Sequence, residues 1–184
     1  MQKVIFVGGF FGTKFDHILI KKILKDYELI LFKYDTRLYD SIKDITNKLK
    51  IFIDNLKLDE KEKVYLIGLS AGGIICDYYL KFLDNTKVSK FVTIYSPFNG
   101  SPLPYLFTKK FKGLQDLKNN SRIINKLKKV KLKNIKIKSF WCLFDPIVLG
   151  KSGKYVNAEH CLFFIHSLIQ FWPGINHKIK NFFD

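Results

Sequence analysis

Short apolar runs alternate with amphipathic segments along almost the whole chain. The runs are nearly continuous in hydrophobic residues, which is typical of strands buried on both faces of a parallel sheet. They predict strands at Lys3–Val7, Glu28–Tyr34, Val64–Leu69, Val88–Tyr95, Ile135–Phe144 and Ala158–Ile165. Helical spacing of apolar residues predicts helices at Phe15–Tyr27, Asp40–Leu56, Gly72–Leu83, Gly113–Val130 and Pro173–Phe183. Strands separated by helices favour an α/β fold with a mostly parallel sheet and helices on both faces.

The length and continuity of the pattern predict one domain over residues 1–184. We find no internal repeat and no low-complexity linker, and a chain of this size can bury a full core without metals or disulfides. No apolar stretch reaches the length of a transmembrane helix, and no leader precedes the first strand. From the sequence alone we therefore expect a soluble, cytoplasmic protein.

The net charge of +16 comes almost entirely from lysine, with 30 Lys against 2 Arg. Nucleic-acid sites favour the arginine fork, and these lysines are dispersed, so no nucleic-acid partner is expected. The densest run, Lys126–Lys138, is interpreted as a solvated surface, with peripheral attraction to an anionic membrane as the alternative. The three cysteines lie in apolar runs without the spacing of a metal site, so neither a disulfide framework nor a metal is expected.

The sequence Gly68-Leu69-Ser70-Ala71-Gly72 joins a predicted strand to a predicted helix. Strand, Gly-x-Ser-x-Gly, helix is the pattern of a nucleophile elbow, in which a strained turn holds the serine hydroxyl clear of the sheet. A Cβ at Gly68 or Gly72 would clash with the packed strand and helix. The alternative is an ordinary glycine-rich turn with a helix-capping serine.

A nucleophilic serine needs a base and an orienting carboxylate. His166 follows a predicted strand, at the end where catalytic groups of open α/β sheets gather, and His160 is the alternative. Asp145 directly follows another strand, and the order Ser70, Asp145, His166 is typical of α/β-hydrolases. The competing carboxylates fall on predicted helices or their ends: Asp77, Asp84 and Asp116.

The oxyanion of such a reaction needs two backbone N–H donors. We expect one from Ala71 and the other from Phe10, in the glycine-rich loop after the first strand. Apolar side chains near these positions are candidates for an acyl pocket: Phe11, Phe98, Leu103 and Phe107. Only Ser101–Lys112 is long enough for a small flap, so little or no cap is expected.

With these motifs the chain resembles the small α/β-hydrolase lipases, particularly the minimal lidless bacterial lipase A type, and related triacylglycerol lipases and esterases. The resemblance rests on Val7–Phe10 as oxyanion loop, Gly68–Gly72 as elbow, Asp145–Val148 as acid motif and Ile165–Leu168 as histidine motif. Two further segments are similar to the family: Thr93–Ser101, with its Pro-x-x-Gly sequence, and Asp116–Leu127, with an Asp-Leu…Ser…Leu pattern. It departs from that family at Gly8, where histidine is usual, and at Leu69, where histidine is frequent.

The resemblance implies an α/β-hydrolase fold and a serine hydrolase of carboxylic esters that uses Ser70, His166 and Asp145 without a cofactor. A thioesterase or acyltransferase would use the same triad, so these remain alternatives. A third alternative is a hydrolase-fold protein that binds a partner without catalysis, and the absence of the usual histidine at Gly8 is compatible with it. The expected partner is a small-molecule or lipid ester.

Overall fold

A single sheet of six strands runs through the molecule in the computed structural model, which describes residues 1–12, 14–59, 61–144, 148, 150–155, 159–165 and 173–184. All neighbouring strands are parallel, in the order β2-β1-β3-β4-β5-β6. The strands are β1 Lys3–Val7, β2 Glu28–Leu31, β3 Val64–Leu69, β4 Val88–Ile94, β5 Lys136–Phe144 and β6 Glu159–Ile165. The helices are α1 Lys14–Ile23, α2 Ile42–Asp54, α3 Ala71–Phe82, α4 Lys112–Gln115, α5 Arg122–Lys128 and α6 Pro173–Phe183.

Helices cover both faces of this sheet, as the apolar strands predict. Alternate side chains of β1 illustrate the division, because Ile5 and Val7 join one buried cluster while Val4 and Phe6 join the other. The first cluster includes the apolar sides of α2 and α3, and the second includes Ile175 and Ile179 of α6. The parallel sheet with helices on both faces is therefore confirmed.

The segment predicted as one helix over Gly113–Val130 is instead two helices, α4 and α5, so that prediction was wrong. Between them Asn120 adopts a left-handed backbone conformation, with φ +62°. Ser121 then caps α5, because its Oγ accepts a hydrogen bond from the N–H of Ile124 at 3.1 Å. The cap satisfies an N–H that has no partner within the helix and starts a new helix at this point.

Because all strands are parallel, their C-terminal ends lie along one edge, called the carboxyl edge below. β3 ends there at Leu69, which is paired with Ile94 at the end of β4. The ends of β5 and β6 are also paired, with Phe144 opposite Ile165. Within the described residues, no helix has the length and apolar character needed to span a membrane.

Candidate active site

Ser70 lies at the carboxyl edge, between the last residue of β3 and the first residue of α3. Its backbone is at φ +52° and ψ −120°, a conformation that costs a non-glycine residue about 1–3 kcal/mol. Two hydrogen bonds hold it: the Ser70 N–H donates to the carbonyl of Ile94 at 2.7 Å, and the Gly73 N–H donates to the carbonyl of Ser70 at 3.0 Å. The Ser70 hydroxyl makes no capping hydrogen bond to α3, which distinguishes it from an ordinary capping serine.

Close packing of β1, β3 and α3 explains the two glycines of the elbow. A Cβ on Gly68 would lie 2.6 Å from the backbone nitrogen of Gly73, on the first turn of α3. A Cβ on Gly72 would lie 2.5 Å from the carbonyl oxygen of Gly8 and closer still to that of Val7. The predicted clashes at Gly68 and Gly72 are therefore confirmed.

The loop after β1 packs directly against the serine. A Cβ on Gly9 would meet the Cβ of Ser70 at 2.8 Å and its Oγ at 3.4 Å, so only glycine lets the loop come this close. The glycine pattern Gly8-Gly9 signalled a flexible loop, but its contact with Ser70 could not be found from sequence. The Tyr34 hydroxyl fixes the loop by donating to the carbonyl of Gly8 at 2.7 Å.

Two N–H groups of this loop donate to carbonyl oxygens of the protein. The Phe11 N–H donates to the carbonyl of Thr36 at 3.0 Å, and the Gly12 N–H donates to that of Gly9 at 2.9 Å. In the part of the chain that the structure describes, neither the Phe10 N–H nor the Ala71 N–H has an acceptor. The two N–H groups predicted to bind an oxyanion thus remain available for one.

Aromatic rings form a wall beside the loop after β1, centred on Phe10. Its ring lies 4.4 Å from that of Phe11, 5.2 Å from Phe107 and 6.2 Å from Phe111, between ring centroids. Phe11 and Phe107, predicted as pocket residues, are therefore brought together. Phe111 was not predicted, because nothing in its sequence context indicates that it turns back towards Phe10.

The other two predicted pocket residues are placed differently. Phe98 is buried and packs edge-on against the ring of Tyr155, with centroids 4.7 Å apart, which places it in the core. Leu103 begins a 3-10 turn, Leu103–Leu106, and is half-buried against the same core cluster. Neither forms part of the aromatic wall around Phe10.

The predicted acid and base, Asp145 and His166, lie outside the described residues. The positions of the other three histidines are described. His160 is the second residue of β6, which runs parallel to β5. Five residues separate His160 from the end of β6, so it lies roughly 16 Å from the carboxyl edge along the strand. His17 lies on α1 beside Phe6, and its desolvation lowers the pKa of the imidazole. His177 is exposed on α6.

The competing carboxylates all have structural partners. Asp84 accepts hydrogen bonds from the N–H and the hydroxyl of Thr86, at 2.8 and 2.7 Å. Asp116 accepts from the N–H of Ile42 at 2.9 Å and so caps α2 from outside the helix. Burial is the main cause that raises the pKa of Asp116.

Asp77 lies two turns beyond Ser70 on α3 and is fully buried in a polar network. Its carboxylate accepts a hydrogen bond from the Tyr155 hydroxyl at 2.7 Å and from Lys81 Nζ at 2.9 Å. Burial raises the pKa of Asp77 from 3.8 to about 6, against the opposing influence of Lys81 and Tyr155, which favour the charged form. This network ties α3 to the segment after β5.

That segment is held at the carboxyl edge by several further hydrogen bonds. The Asn99 N–H donates to the carbonyl of Ser152 at 3.2 Å, and the Ser152 hydroxyl donates to that of Gly100 at 2.6 Å. The Tyr155 N–H donates to Ser139 Oγ on β5 at 3.4 Å. Ser152 is therefore anchored to the loop that follows β4, and Tyr155 to β5.

The Tyr155 hydroxyl gives a prediction about stability. The folded pKa of Asp77 lies above its ordinary value, so this group favours the folded state most below about pH 4 and loses that contribution as pH rises through about 6. Tyr155→Phe removes a donor to the ionised carboxylate, so it should lower the free energy of unfolding by about 1.5–3 kcal/mol at pH 8, and by less at pH 5. Urea unfolding at both pH values measures the difference.

Tyr105→Phe is the matched control, because Tyr105 is 63% exposed. It should change the free energy of unfolding by no more than about 0.5 kcal/mol at either pH. An equal effect of Tyr155→Phe at pH 5 and pH 8 would contradict the assignment of this hydroxyl to the charged form of Asp77.

Most of this chain is similar in sequence to one known protein family. The family model of palmitoyl protein thioesterase matches residues 20–136, well over half of the chain. The chain belongs to the palmitoyl protein thioesterase family. The matched region contains the elbow at Ser70 and ends before Asp145 and His166. A search of curated protein sequences finds no match.

Solved structures show that this palmitoyl protein thioesterase family member has the α/β-hydrolase fold. The Bacillus licheniformis lipase BlEst2 in mature form has a TM-score of 0.80 and 14% identity, covering 98% of this chain and 91% of the lipase. The Exiguobacterium antarcticum esterase EaEST has a TM-score of 0.75 and 13% identity, covering 99% and 91%. Aspergillus fumigatus lipase B has a TM-score of 0.67 and 16% identity, but this chain spans only 42% of its length and the match covers 89% of this chain.

The predicted resemblance to lipases and esterases is therefore confirmed at the level of fold and family. The protein is a hydrolase-family member of the lipase, esterase and thioesterase type. In the residues that the structure describes, no three His, Cys, Asp or Glu side chains come together as a metal site would require.

Proposed function

We propose that this protein hydrolyses acyl ester bonds, with Ser70 as the nucleophile, His166 as the base and Asp145 as the carboxylate that orients it. The conformation of Ser70 carries the proposal. Ser70 has a strained backbone and lies at the N-terminus of α3, but its hydroxyl makes no capping hydrogen bond to that helix. The loop after β1 packs against Ser70. The strained backbone lowers stability, and exposure of a nucleophilic hydroxyl explains why it is retained.

The pairing of β5 with β6 supports the choice of acid and base. Phe144 and Ile165 are register partners on adjacent parallel strands, which lie about 4.8 Å apart. Asp145 and His166 are the residues that directly follow these two partners in the sequence. The competing carboxylates are bonded elsewhere, and His160 lies near the start of β6, away from the carboxyl edge.

The reaction follows from these roles. Ser70 Oγ attacks the acyl carbonyl carbon while His166 takes the hydroxyl proton and Asp145 stabilises the resulting imidazolium. The carbonyl oxygen becomes an oxyanion, which the N–H groups of Phe10 and Ala71 bind, each worth about 3–4 kcal/mol in the transition state. His166 returns the proton to the leaving oxygen or sulfur, and water then releases the acid from Ser70 by the reverse path.

The aromatic wall supports an apolar acyl group as part of the substrate. Phe10 supplies an oxyanion N–H through its backbone, while its ring contacts Phe11, Phe107 and Phe111. An acyl chain bound along these rings would place its carbonyl carbon near Ser70. The lysine excess adds support for a lipid or lipid-linked substrate held at an anionic surface.

A thioester is the second candidate for the bond that is cleaved, beside an oxygen ester, and the family match supports it. Palmitoyl protein thioesterases give the family its name, and residues 20–136 match their model. The proposed machinery accepts either bond, because attack at the carbonyl carbon and binding of the oxyanion are the same for both.

Turnover of an oxygen ester and a thioester with the same acyl group tests the proposal. We expect hydrolysis of both, with the higher kcat/KM for the thioester, measured by release of the alcohol or the thiol. Hydrolysis of the oxygen ester alone would contradict the thioester assignment. Failure of the folded protein to cleave either substrate over a series of acyl lengths would contradict the proposed function and favour a binding protein with a hydrolase fold.

A further inference from the structure

Three large apolar side chains are exposed beside the proposed acyl site. Tyr105 and Leu106 lie on the 3-10 turn after β4 and are 63% and 82% exposed, and Phe11 in the oxyanion loop is 55% exposed. The contact between Phe10 and Phe107 joins their two segments. We call Phe11, Tyr105 and Leu106 the apolar tip.

Hydrogen bonds hold the 3-10 turn in the position that exposes these residues. The Tyr105 N–H donates to the carbonyl of Pro102 at 3.0 Å, and Gln115 Nε2 donates to that of Pro104 at 3.2 Å. The N–H of Leu103 donates to Ser101 Oγ at 3.1 Å. The exposure of Leu106 is therefore part of a built turn, in which two prolines further restrict the backbone.

The segment that carries Tyr105 and Leu106 is rich in lysine. Residues 101–119 contain four lysines and a single carboxylate, Asp116, which is already bonded to the N–H of Ile42. Lys118 Nζ lies 4.9 Å from the centroid of the Tyr105 ring. No ion pair joins any of the exposed members of this group to a carboxylate in the part of the chain that the structure describes: Lys109, Lys110 and Lys112.

Exposed apolar side chains on a lysine-rich segment fit the interface of an anionic bilayer. The apolar side chains enter the boundary between headgroups and acyl chains, while the lysine side chains reach the anionic headgroups. A nucleic acid would engage the lysines but would leave Leu106 in water. The charge and the apolar exposure together therefore favour a lipid surface over a polyanion.

We propose that the apolar tip and Lys109, Lys110, Lys112 and Lys118 form a docking surface for an anionic lipid bilayer. Docking there brings the wall around Phe10, and with it Ser70, to the surface from which an acyl group would be drawn. The use of that acyl group as substrate rests on the proposed function, whereas the binding itself does not.

Vesicle binding of the catalytically silenced Ser70→Ala protein tests this docking surface. We expect sedimentation with phosphatidylcholine vesicles that contain phosphatidylglycerol, and much less with phosphatidylcholine alone. Leu106→Glu in that background should weaken binding to the anionic vesicles at least tenfold. Lys109→Glu/Lys110→Glu should do the same, since each lysine near an anionic leaflet is worth about a fivefold change in affinity and its reversal more.

Two matched controls place the effect on this surface. Ile51→Glu changes an apolar residue of α2 that is 60% exposed, and Lys57→Glu/Lys63→Glu reverses two exposed lysines before β3, at the opposite edge of the sheet. Both should bind vesicles as the parent does. Binding that is absent in the parent, or that these controls reduce as much as Leu106→Glu does, would overturn the proposal.

Turnover of a short, water-soluble ester by the Leu106→Glu protein with Ser70 intact separates the two proposals. We expect unchanged turnover, because Leu106 lies outside the proposed catalytic machinery. Turnover without vesicle binding by the parent would overturn the docking surface alone. Vesicle binding without turnover of any ester would leave the docking surface supported and overturn the proposed function alone.

Discussion

Replacing Ser70 with alanine is expected to lower kcat/KM for esters and thioesters by about 10⁵-fold, with the residual rate coming from the oxyanion N–H groups and substrate binding. The substitution removes the attacking oxygen and leaves the backbone conformation, at φ +52°, as strained as before. Steady-state hydrolysis of matched substrates measures the loss, and circular dichroism with urea unfolding shows whether the fold is kept.

Ser96→Ala is the matched control for this result. Ser96 follows β4 at the same edge, is fully buried, and its Oγ lies 3.5 Å from the carbonyl oxygen of Ile94. Its hydroxyl has no role in the proposed reaction, so the variant should keep kcat/KM close to that of the parent. Equal activity in the Ser70→Ala and Ser96→Ala variants would contradict the assignment of the nucleophile.

Gly72→Ala is expected to have the largest effect on stability. The added Cβ would lie 2.5 Å from the carbonyl oxygen of Gly8 and nearer to that of Val7, both of them backbone atoms that cannot rotate away. Separating α3 from β1 should cost about 3 kcal/mol, which lowers Tm by about 6–12 °C for a chain of this size. Urea unfolding and thermal melts measure both quantities.

Gly8→Ala provides the comparison for Gly72→Ala within the same pair of packed segments. A Cβ on Gly8 would meet its nearest neighbour, Cε1 of Phe6, at 4.0 Å, so it fits. Its free energy of unfolding should change by less than about 1 kcal/mol. Similar losses of stability in the two variants would show that the close approach of β1 to α3 does not explain Gly72.

The elbow could be predicted from sequence because its signal is local. Gly68 and Gly72 are set by contacts within one strand, one turn and one helix, together with the neighbouring strand β1. The alternation of apolar runs likewise predicted the sheet, because burial on both faces dictates strand composition. The contact between Gly9 and Ser70 depends on the pairing of β1 with β3, and no local pattern encodes its distance.

Other features could not be predicted because they depend on distant residues. Phe98 was predicted to line an acyl pocket and Phe111 was not, yet Phe98 packs on Tyr155 while Phe111 contacts Phe10. The helix predicted over Gly113–Val130 failed because turn and capping signals at Asn120 and Ser121 were outweighed by an apolar pattern that continued through them. The sequence indicated that Asp145 and His166 each follow a strand, but not that the two strands are neighbours. The pairing of Phe144 with Ile165 shows that the ends of β5 and β6 lie side by side.

Labelling with a fluorescent fluorophosphonate most directly tests the central claim, that Ser70 is an activated nucleophile. The reagent phosphonylates serine only where a base and an oxyanion site assist the attack. At neutral pH we expect stoichiometric labelling of the parent, located on the Ser70 peptide by mass spectrometry, unchanged labelling of Ser96→Ala and none of Ser70→Ala. A folded parent that takes no label, or a Ser70→Ala variant that takes as much as the parent, would contradict the account.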